Sequence, residues 1–557
     1  MLKKYNPVII GVFICCSINN IAYASIATSS SNQTEQDKAR QASLAPLQQD
    51  YTSSLEHSDK ETIKFPKEEN CREINDVIID SGDDRLTHKL LGRLSVQAKG
   101  KCLGIGGIRL LAISMQNELI ARGYITSLID IAPQTLDDGI LKLELNYGKV
   151  GSISYSDESK SKTRLWNSLP FSQNEILKLS NLEQGMANLQ RIPGSDAKMK
   201  LMPGAEDYTS DIVLTRNLGK KWQVSGWLND AGSRSSGRYL GGVALYLYDL
   251  TSLNDILYVS GGGDVEYKQH DDGNKNASLF YSIPFGFWTV SLYGSYSKYL
   301  QMFRGQWSTT EYESKNRYYS ATLARLLSHT RQQKTSVDMR VFKSTSRYYF
   351  GGTELDVMRK QNPGWELTLN HQHYFDRKVV NASIGVQHRL PWFNSTATPE
   401  EKAGLYTKQA RVIHADIQAL MKFDATGDRF SWAPQFYAQI SPDTLSSDNK
   451  LNIGNRWSVR GFDGERTLSS NQGWYWRNDL IWDVPDHNQQ LYVGLDVGKI
   501  ISSDQYQKGK VMSGAVVGLR GNKFATQYDV FVGTPIYKPD SFHTDAFNMG
   551  FNLQWKY

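Results

Sequence analysis

The last eleven residues of the chain alternate without a break. Phe547, Met549, Phe551, Leu553, Trp555 and Tyr557 fall on one parity, and Asn548, Gly550, Asn552, Gln554 and Lys556 on the other. A period of two over that length predicts a β-strand with one apolar and one polar face. At about 3.3 Å per residue, such a strand, tilted, crosses the hydrocarbon layer of a bilayer. A half-buried edge strand of a soluble sheet would carry the same pattern, so the wider texture has to decide. From Lys221 to the end, 337 residues, helical periodicity is absent. Alternating stretches such as Trp222-Val224-Gly226-Leu228, Val243-Leu245-Leu247 and Trp288-Val290-Leu292 are separated by Gly, Asn, Asp and Ser clusters. At roughly 20 residues per strand and connection, the region predicts about 16 strands, an even count as a bacterial membrane barrel requires. Twelve of the 13 tryptophans lie beyond residue 220, which fits the aromatic girdles of such a barrel. A soluble sandwich or propeller also gives many short strands, but the export signal described below favours the membrane.

Ahead of the barrel the pattern is different. Over 71–148 it predicts a compact α+β unit. Val77-Ile78-Ile79 forms a strand, Ile108, Leu111, Ala112, Met115 and Leu119 recur at helical spacing, and Gly123 closes the helix. Tyr124 to Ile131 and Leu141-Leu143-Leu145-Tyr147 supply two more strands. Residues 149–217 repeat that order. Ile153 and Tyr155 lie in a strand, and a helix opens with Ser180 and Glu183 at capping-box spacing. Arg191-Ile192-Pro193 ends that helix, and strands follow on either side of Pro203-Gly204. Two such modules amount to an architectural repeat. Residues 25–70 are polar. Thr34 to Ala45 can form one helix, capped by Thr34 and stopped or bent by Pro46. A helix polar on all sides has no core to dock on, so the segment is either disordered, the reading composition favours, or held in a wet cavity. A flexible linker is expected over Lys60 to Glu69.

The first 24 residues read as a secretory signal. Lys3 and Lys4 supply charge, Val8 to Cys16 an apolar core too short to span, and Ala22-Tyr23-Ala24 a small-x-small cleavage site. Cys15 and Cys16 would suit a lipoprotein, but Phe13-Ile14 lacks the small residues that normally precede a lipidated cysteine. After cleavage Cys71 and Cys102 remain. An even pair in an exported chain predicts one disulfide, worth about 3–4 kcal/mol to a small domain; two isolated cysteines are only half a zinc site. Losing the two signal lysines takes the formal charge from +6 to +4, with 61 basic and 57 acidic residues. That balance gives no indication of nucleic acid. No mature stretch reaches about 18 consecutive apolar residues, so a spanning helix is excluded and a barrel is not.

Two short stretches carry a resemblance. Ser458-Val459-Arg460-Gly461-Phe462-Asp463-Gly464-Glu465 resembles the Val-Arg-Gly-Phe/Tyr loop signature of the Omp85 superfamily, and Gly494-Leu495-Asp496-Val497-Gly498 the strand motif that accompanies it. Between them, Gly473 to Leu480 looks like the strand that follows the loop. The resemblance implies a hairpin folded back into the barrel with Arg460 meeting Asp496 on the inner wall, where Gly494 and Gly498 allow close approach. The forked guanidinium suits a carboxylate, and its expected role is to fix the loop. The two modules resemble POTRA domains. Phe551, Leu553, Trp555 and Tyr557 are similar to the C-terminal signal read by barrel-assembly machinery. Two modules rather than more, after one polar segment, look like the transporter of two-partner secretion. Leu182-Glu183-Gln184-Gly185 and Gly123-Tyr124-Ile125 agree with that family. Tyr147-Gly148 replaces the Glu-Gly that ends the first module of many relatives, and Pro46 interrupts the segment that relatives use as a pore-plug helix.

The resemblance implies an outer-membrane pore in a Gram-negative bacterium, with its POTRA modules in the periplasm. The modules would capture one dedicated exoprotein, a haemolysin, adhesin or contact-dependent inhibition toxin, and the pore would export it without ATP. Outer-membrane lipid surrounds the wall, and neither cofactor nor metal nor nucleic acid is expected. A barrel-insertion factor of the same superfamily is the alternative, followed by a passive porin or receptor. Other signals fail. Gly498-Lys499 superficially suggests a phosphate loop, but the glycine spacing is wrong and Ile500 stands where Ser or Thr would hold magnesium. His371 and His373 share one strand face without a third ligand and are read as solvent-facing. No Ser/His/Asp or Cys/His set stands out, so no enzyme is expected.

Overall fold

The computed structural model describes residues 35–45, 62–80, 85–234, 236–266, 273–304, 309–393, 395, 397–425, 427–501 and 510–557. The expected signal at 1–24, Thr34 and Pro46 lie outside them. Sixteen strands of eight residues or more, from Trp222–Asn229 to Asn548–Lys556, pair antiparallel with their sequence neighbours and close into a barrel. At the seam Asn552 faces Asn229 and Lys556 faces Ser225. Gly226 makes room there for the Trp555 ring, and Lys220 lies 4.3 Å above the Tyr557 ring. Parity along the last strand is as the alternation requires. Met549 and Trp555 are exposed on the outer wall, while Asn552 and Gln554 line a polar cavity of about 1030 Å³ at the periplasmic end. No described helix is long and apolar enough to cross a membrane.

Strand length varies around the wall. Strands at the seam have eight or nine residues, whereas Trp288–Arg304, Thr309–His329 and Gln333–Phe350 have 17, 21 and 18. His371 and His373 lie near the periplasmic end of the strand Lys360–Phe375, half-buried in a ladder with Phe375 rather than freely solvated.

The first module is a three-stranded sheet in which Ile140–Asn146 runs parallel to Asp76–Asp80 and antiparallel to Leu128–Asp130. Helices Arg85–Ala98 and Ile105–Ala121 cover it, burying Leu91, Leu111, Met115 and Leu119. Cys71 and Cys102 are joined by a disulfide at a two-stranded antiparallel pair, Arg72–Ile74 with Lys101–Leu103. The expected strand from Tyr124 shrinks to Leu128–Asp130. Gly123 turns at φ +90° and the Tyr124 amide donates back to the Leu119 carbonyl, so 124–127 is the helix's closing turn. In the second module Thr209–Leu218 is central, parallel to Lys149–Tyr155 and antiparallel to Ser195–Pro203. Its helix Leu179–Gln190 starts at Lys178 with no side-chain cap, so the Ser180–Glu183 capping box does not form. The Leu179 amide instead donates to the Gly123 carbonyl of the first module at 2.8 Å, and that tertiary bond sets the helix start.

Two expectations for the polar segment are corrected. Residues 35–44 are helical and sit inside the barrel rather than disordered. Ser297 Oγ and Tyr299 OH donate to the Asp37 carboxylate at 2.7 and 3.1 Å, Tyr246 OH donates to the Leu44 carbonyl at 3.0 Å, and Leu44 packs on Ile192 and Trp227. The lumen supplies the polar partners that an all-polar helix lacks in isolation. Residues 62–69, expected as flexible linker, are docked: Ile63 and Phe65 pack on the first module's core. The Glu68 carboxylate accepts the amides of Gly104, Gly106 and Gly107 at 2.8–2.9 Å. Those three bonds at a helix start hold its pKa below the ordinary carboxylate value.

The second module is joined to the periplasmic turns of the barrel. Arg216, fully buried, donates to Asp249 and to Asn254 Oδ1, each at 2.9 Å. Arg191 donates to Ser282 Oγ at 2.7 Å, Asn188 to the Gly286 carbonyl at 2.8 Å, and Asn167 to the Leu253 and Pro284 carbonyls.

Candidate functional site: an inward hairpin clamped to the barrel wall

Residues 441–471, between the strands Asp428–Ile440 and Gln472–Asp483, fold into the lumen rather than outward. Two short strands, Leu451–Ile453 and Leu468–Ser470, pair to make the stem. Val459 and Phe462 anchor the tip by burial among Ile453, Ile500, Met512 and Phe542, the last two on the wall and in the loop 538–547. Between these anchors Arg460 points at the wall.

The structure brings Arg460 and Asp496 together. Nε donates to Oδ2 at 2.7 Å, Nη2 to Oδ1 at 2.8 Å, and the Arg460 backbone amide to Oδ2 at 3.0 Å. This is a bidentate fork with a third, main-chain bond, the geometry that makes arginine a positional clamp. Arg460 Nη2 also bonds Asp479 on the preceding strand, and the Asn478 amide donates to Asp496 at 3.4 Å. The side chains of Arg460 and Asp496 are 5% and 1% exposed, that of Asp479 15%. Arg460 thus faces two carboxylates in a nearly dry pocket, and the buried Arg477, which donates to the Trp457 carbonyl at 3.3 Å, is a second cation close to both of them.

Close approach depends on side chains that are missing. A Cβ on Gly494 would lie 2.6 Å from the Arg460 guanidinium, and one on Gly498 2.7 Å from Val459. Gly514 and Gly533, on the next two strands, do the same work: a Cβ at Gly514 would lie 1.9 Å from the Arg460 carbonyl. Gly461 turns at φ +96°, a conformation glycine adopts without penalty. Sequence reasoning assigned no role to Asp479, Gly514 or Gly533. For Asp479 the signal was present, since it lies in the Gly473–Leu480 stretch. For the two glycines only register could show that they face the hairpin. Further out, Arg456 binds Asp230 at 2.8 Å and ties the loop to the seam side. Of the C-terminal residues, Phe551, Leu553, Trp555 and Tyr557 lie on the closing strand and its end, where the Phe551 carbonyl accepts from Arg456 of the hairpin at 3.3 Å.

Paired periplasmic modules, a closed 16-strand wall and a hairpin folded back into it define an outer-membrane β-barrel transporter. The sequence profile described as haemolysin secretion/activation protein ShlB/FhaC/HecB matches residues 208–521, a ShlB-type POTRA profile residues 73–148, and a further POTRA profile residues 149–203. The chain is 30% identical to the outer membrane transporter CdiB-2 of Burkholderia pseudomallei (strain 1026b), over 82% of this chain and 78% of that one. It is 28% identical to the outer membrane transporter CdiB of Escherichia coli, over 84% and 80%. The solved structure of CdiB from Escherichia coli superposes with a TM-score of 0.82 at 23% identity, covering 95% of this chain and 98% of that one, which establishes the fold. The chain belongs to the ShlB/FhaC/HecB family of haemolysin secretion/activation proteins.

Proposed function

We propose that this transporter recognises and secretes one dedicated, large β-rich exoprotein of the haemolysin, adhesin or contact-dependent inhibition class, and that it does so without ATP. The supporting observation is that the lumen is filled by two separable parts. The Arg460 hairpin is held on the wall built by Gln472–Lys523, and the helix 35–44 on the wall built by Trp222–Arg304. Both are attached by side-chain bonds, so either can leave while every strand of the cylinder stays paired. The helix is the resting plug, and the Arg460–Asp496 clamp, with Val459, Gly461 and Phe462 against Gly494 and Gly498, returns the hairpin to one position.

Taken as modules of 71–148 and 149–217 ahead of a barrel of 218–557, the periplasmic part offers a sheet edge at Ser195–Pro203, whereas at the edge Leu128–Asp130 the Gln116 side chain already takes the Ile129 amide and the Ser127 carbonyl. An extended segment of the exoprotein adds there as a further strand, with main-chain bonds giving affinity and neighbouring side chains selectivity. It then enters through the polar cavity lined by residues such as Asp483, Gln490, Arg520 and Asp529. Folding of the cargo into β-structure outside the cell makes the passage irreversible. The barrel itself is inserted by the cell's barrel-assembly machinery, directed by the Phe551, Leu553, Trp555 and Tyr557 face.

The test is to delete the gene and follow the exoprotein encoded beside it. Loss of its surface appearance with other outer-membrane proteins at normal levels supports the reading. A general loss of barrel proteins would assign an insertion factor instead, and normal surface levels would leave only a passive pore.

A further inference from the structure

The outer wall carries a charge pattern that export does not use. Strand register places Lys275 opposite Lys298, Lys298 opposite Lys315, and Lys315 opposite Arg347, so four adjacent strands present four cations in one row. Two residues nearer the periplasm on the same faces stands Arg317, paired with Tyr296 and Thr345, and two further on stands Lys343, opposite Tyr319. Lys275, Arg317 and Arg347 are exposed. Glu313, one row outward, bridges Lys298 and Lys315 and neutralises one of them. Like charges directly opposite each other destabilise a sheet, so the row is costly unless an anion lies against it.

Height and shape narrow the anion. Ten residues separate Lys298 from Trp288 at the periplasmic turn. That is about 33 Å along the strand and about 25 Å of height at the usual tilt, the thickness of a barrel's apolar band. The cations therefore stand at the headgroup level of the outer leaflet. Directly below them the same strands form an apolar groove of about 860 Å³, lined by Leu279, Leu292, Gly294, Tyr319 and Val341. Phe393 and Lys343 close its upper end, with Lys343 Nζ donating to the Phe393 carbonyl at 3.1 Å. Gly294 leaves the floor open, since a Cβ there would meet only the Tyr319 ring at ordinary contact distance.

We propose that this face is a specific binding site for a phosphorylated, acylated glycolipid of the outer leaflet. Its phosphates sit on the row from Lys275 to Arg347 and on Arg317, and one acyl chain lies in the groove beneath. Phosphate on clustered lysine and arginine, and hydrocarbon on apolar side chains, account for both halves of the surface. The bound lipid removes the cross-strand repulsion and stiffens the tallest part of the wall.

The experiment uses the full-length protein, purified in mild detergent and stripped of lipid. Thermal unfolding and native mass are measured with bisphosphorylated lipid A, with its dephosphorylated form and with phosphatidylglycerol. Lipid A is expected to bind and raise Tm, with the other two giving little shift. The triple variant K275Q/R317Q/R347Q spares the Glu313 bridges and should bind lipid A on the order of 100-fold more weakly, three charges at about 1 kcal/mol each. Gly294→Leu, which fills the groove without altering charge, should also weaken it. The proposal is overturned if the dephosphorylated lipid or phosphatidylglycerol binds equally well, if the native mass shows a second copy of the chain on this face, or if the triple variant keeps wild-type affinity. Should the triple variant not fold, the wild-type comparison of the three lipids and Gly294→Leu decide the matter.

Discussion

Two buried arginine–aspartate pairs, one at the joint between module and barrel and one midway up the inner wall, are built differently. Arg216, at the joint between the second POTRA module and the barrel, meets one carboxylate and one amide oxygen, and its partner Asp249 is 2% exposed. Around it Arg191, Asn188 and Asn167 make further bonds across the same interface. Arg460 meets two carboxylates, and the surface it leans on is largely glycine. If Arg216 leaves, Asp249 stays enclosed with no counter-charge, which costs several kcal/mol. If Arg460 leaves, Asp496 and Asp479 face a lumen in which they can be solvated. On the proposed function, the same kind of ion pair serves as a permanent joint in one place and a reversible latch in the other, and the access of solvent after breakage is what separates them.

That contrast can be broken most directly at the latch. Arg460→Ala should reduce export of the cognate exoprotein to background while the purified barrel still migrates as a heat-modifiable, folded species. Export at the wild-type level would remove the latch from the mechanism. At the joint, Arg216→Ala should cost about 3–5 kcal/mol of docking, read as faster proteolytic release of the periplasmic modules and partial rather than complete loss of export. Arg216→Lys should not restore it, because an ammonium cannot span Asp249 and Asn254 as a fork does.

A smaller effect is expected within the first module. Replacing Cys71 and Cys102 by Ser should lower its stability by about 3 kcal/mol, seen as faster protease cleavage of the full-length protein within residues 71–148, with the barrel transition unchanged. The smallest concerns Glu68. Its folded pKa is depressed, so the docking of residues 62–69 is fully present above the unfolded value, about 4.3, and is lost as pH falls through the lower folded value. The protection factors of the Gly104, Gly106 and Gly107 amides, taken against their intrinsic exchange rates at each pH, should fall over that acid range. Glu68→Gln should show fast exchange already at neutral pH and no such dependence.

Where the sequence was legible, one physical rule dominated. Alternation marked the barrel because each strand has one face toward lipid, and the apolar helical spacing from Ile108 to Leu119 marked the first module because that helix buries one stripe. Arg460 and Asp496 could be paired because Ser458 to Glu465 and Gly494 to Gly498 resemble the loop and strand motifs of the Omp85 superfamily, a resemblance that implies that contact. What failed was whatever a distant partner decided. Ser180 lost its capping role because the Gly123 carbonyl, bonded to the Leu179 amide, moves the helix cap two residues earlier, to Lys178. The helix 35–44 read as disordered because its partners, Ser297, Tyr299 and Tyr246, lie over 200 residues away. Glu68 looked like one more linker charge until three glycine amides were found aimed at it.

The unequal strand lengths have a consequence for the emerging cargo. A rim raised along Trp288–Phe350 and low beside Trp222–Asn229 and Asn548–Lys556 is cut on a slant. A polypeptide leaving such a mouth is screened on one flank and free on the other.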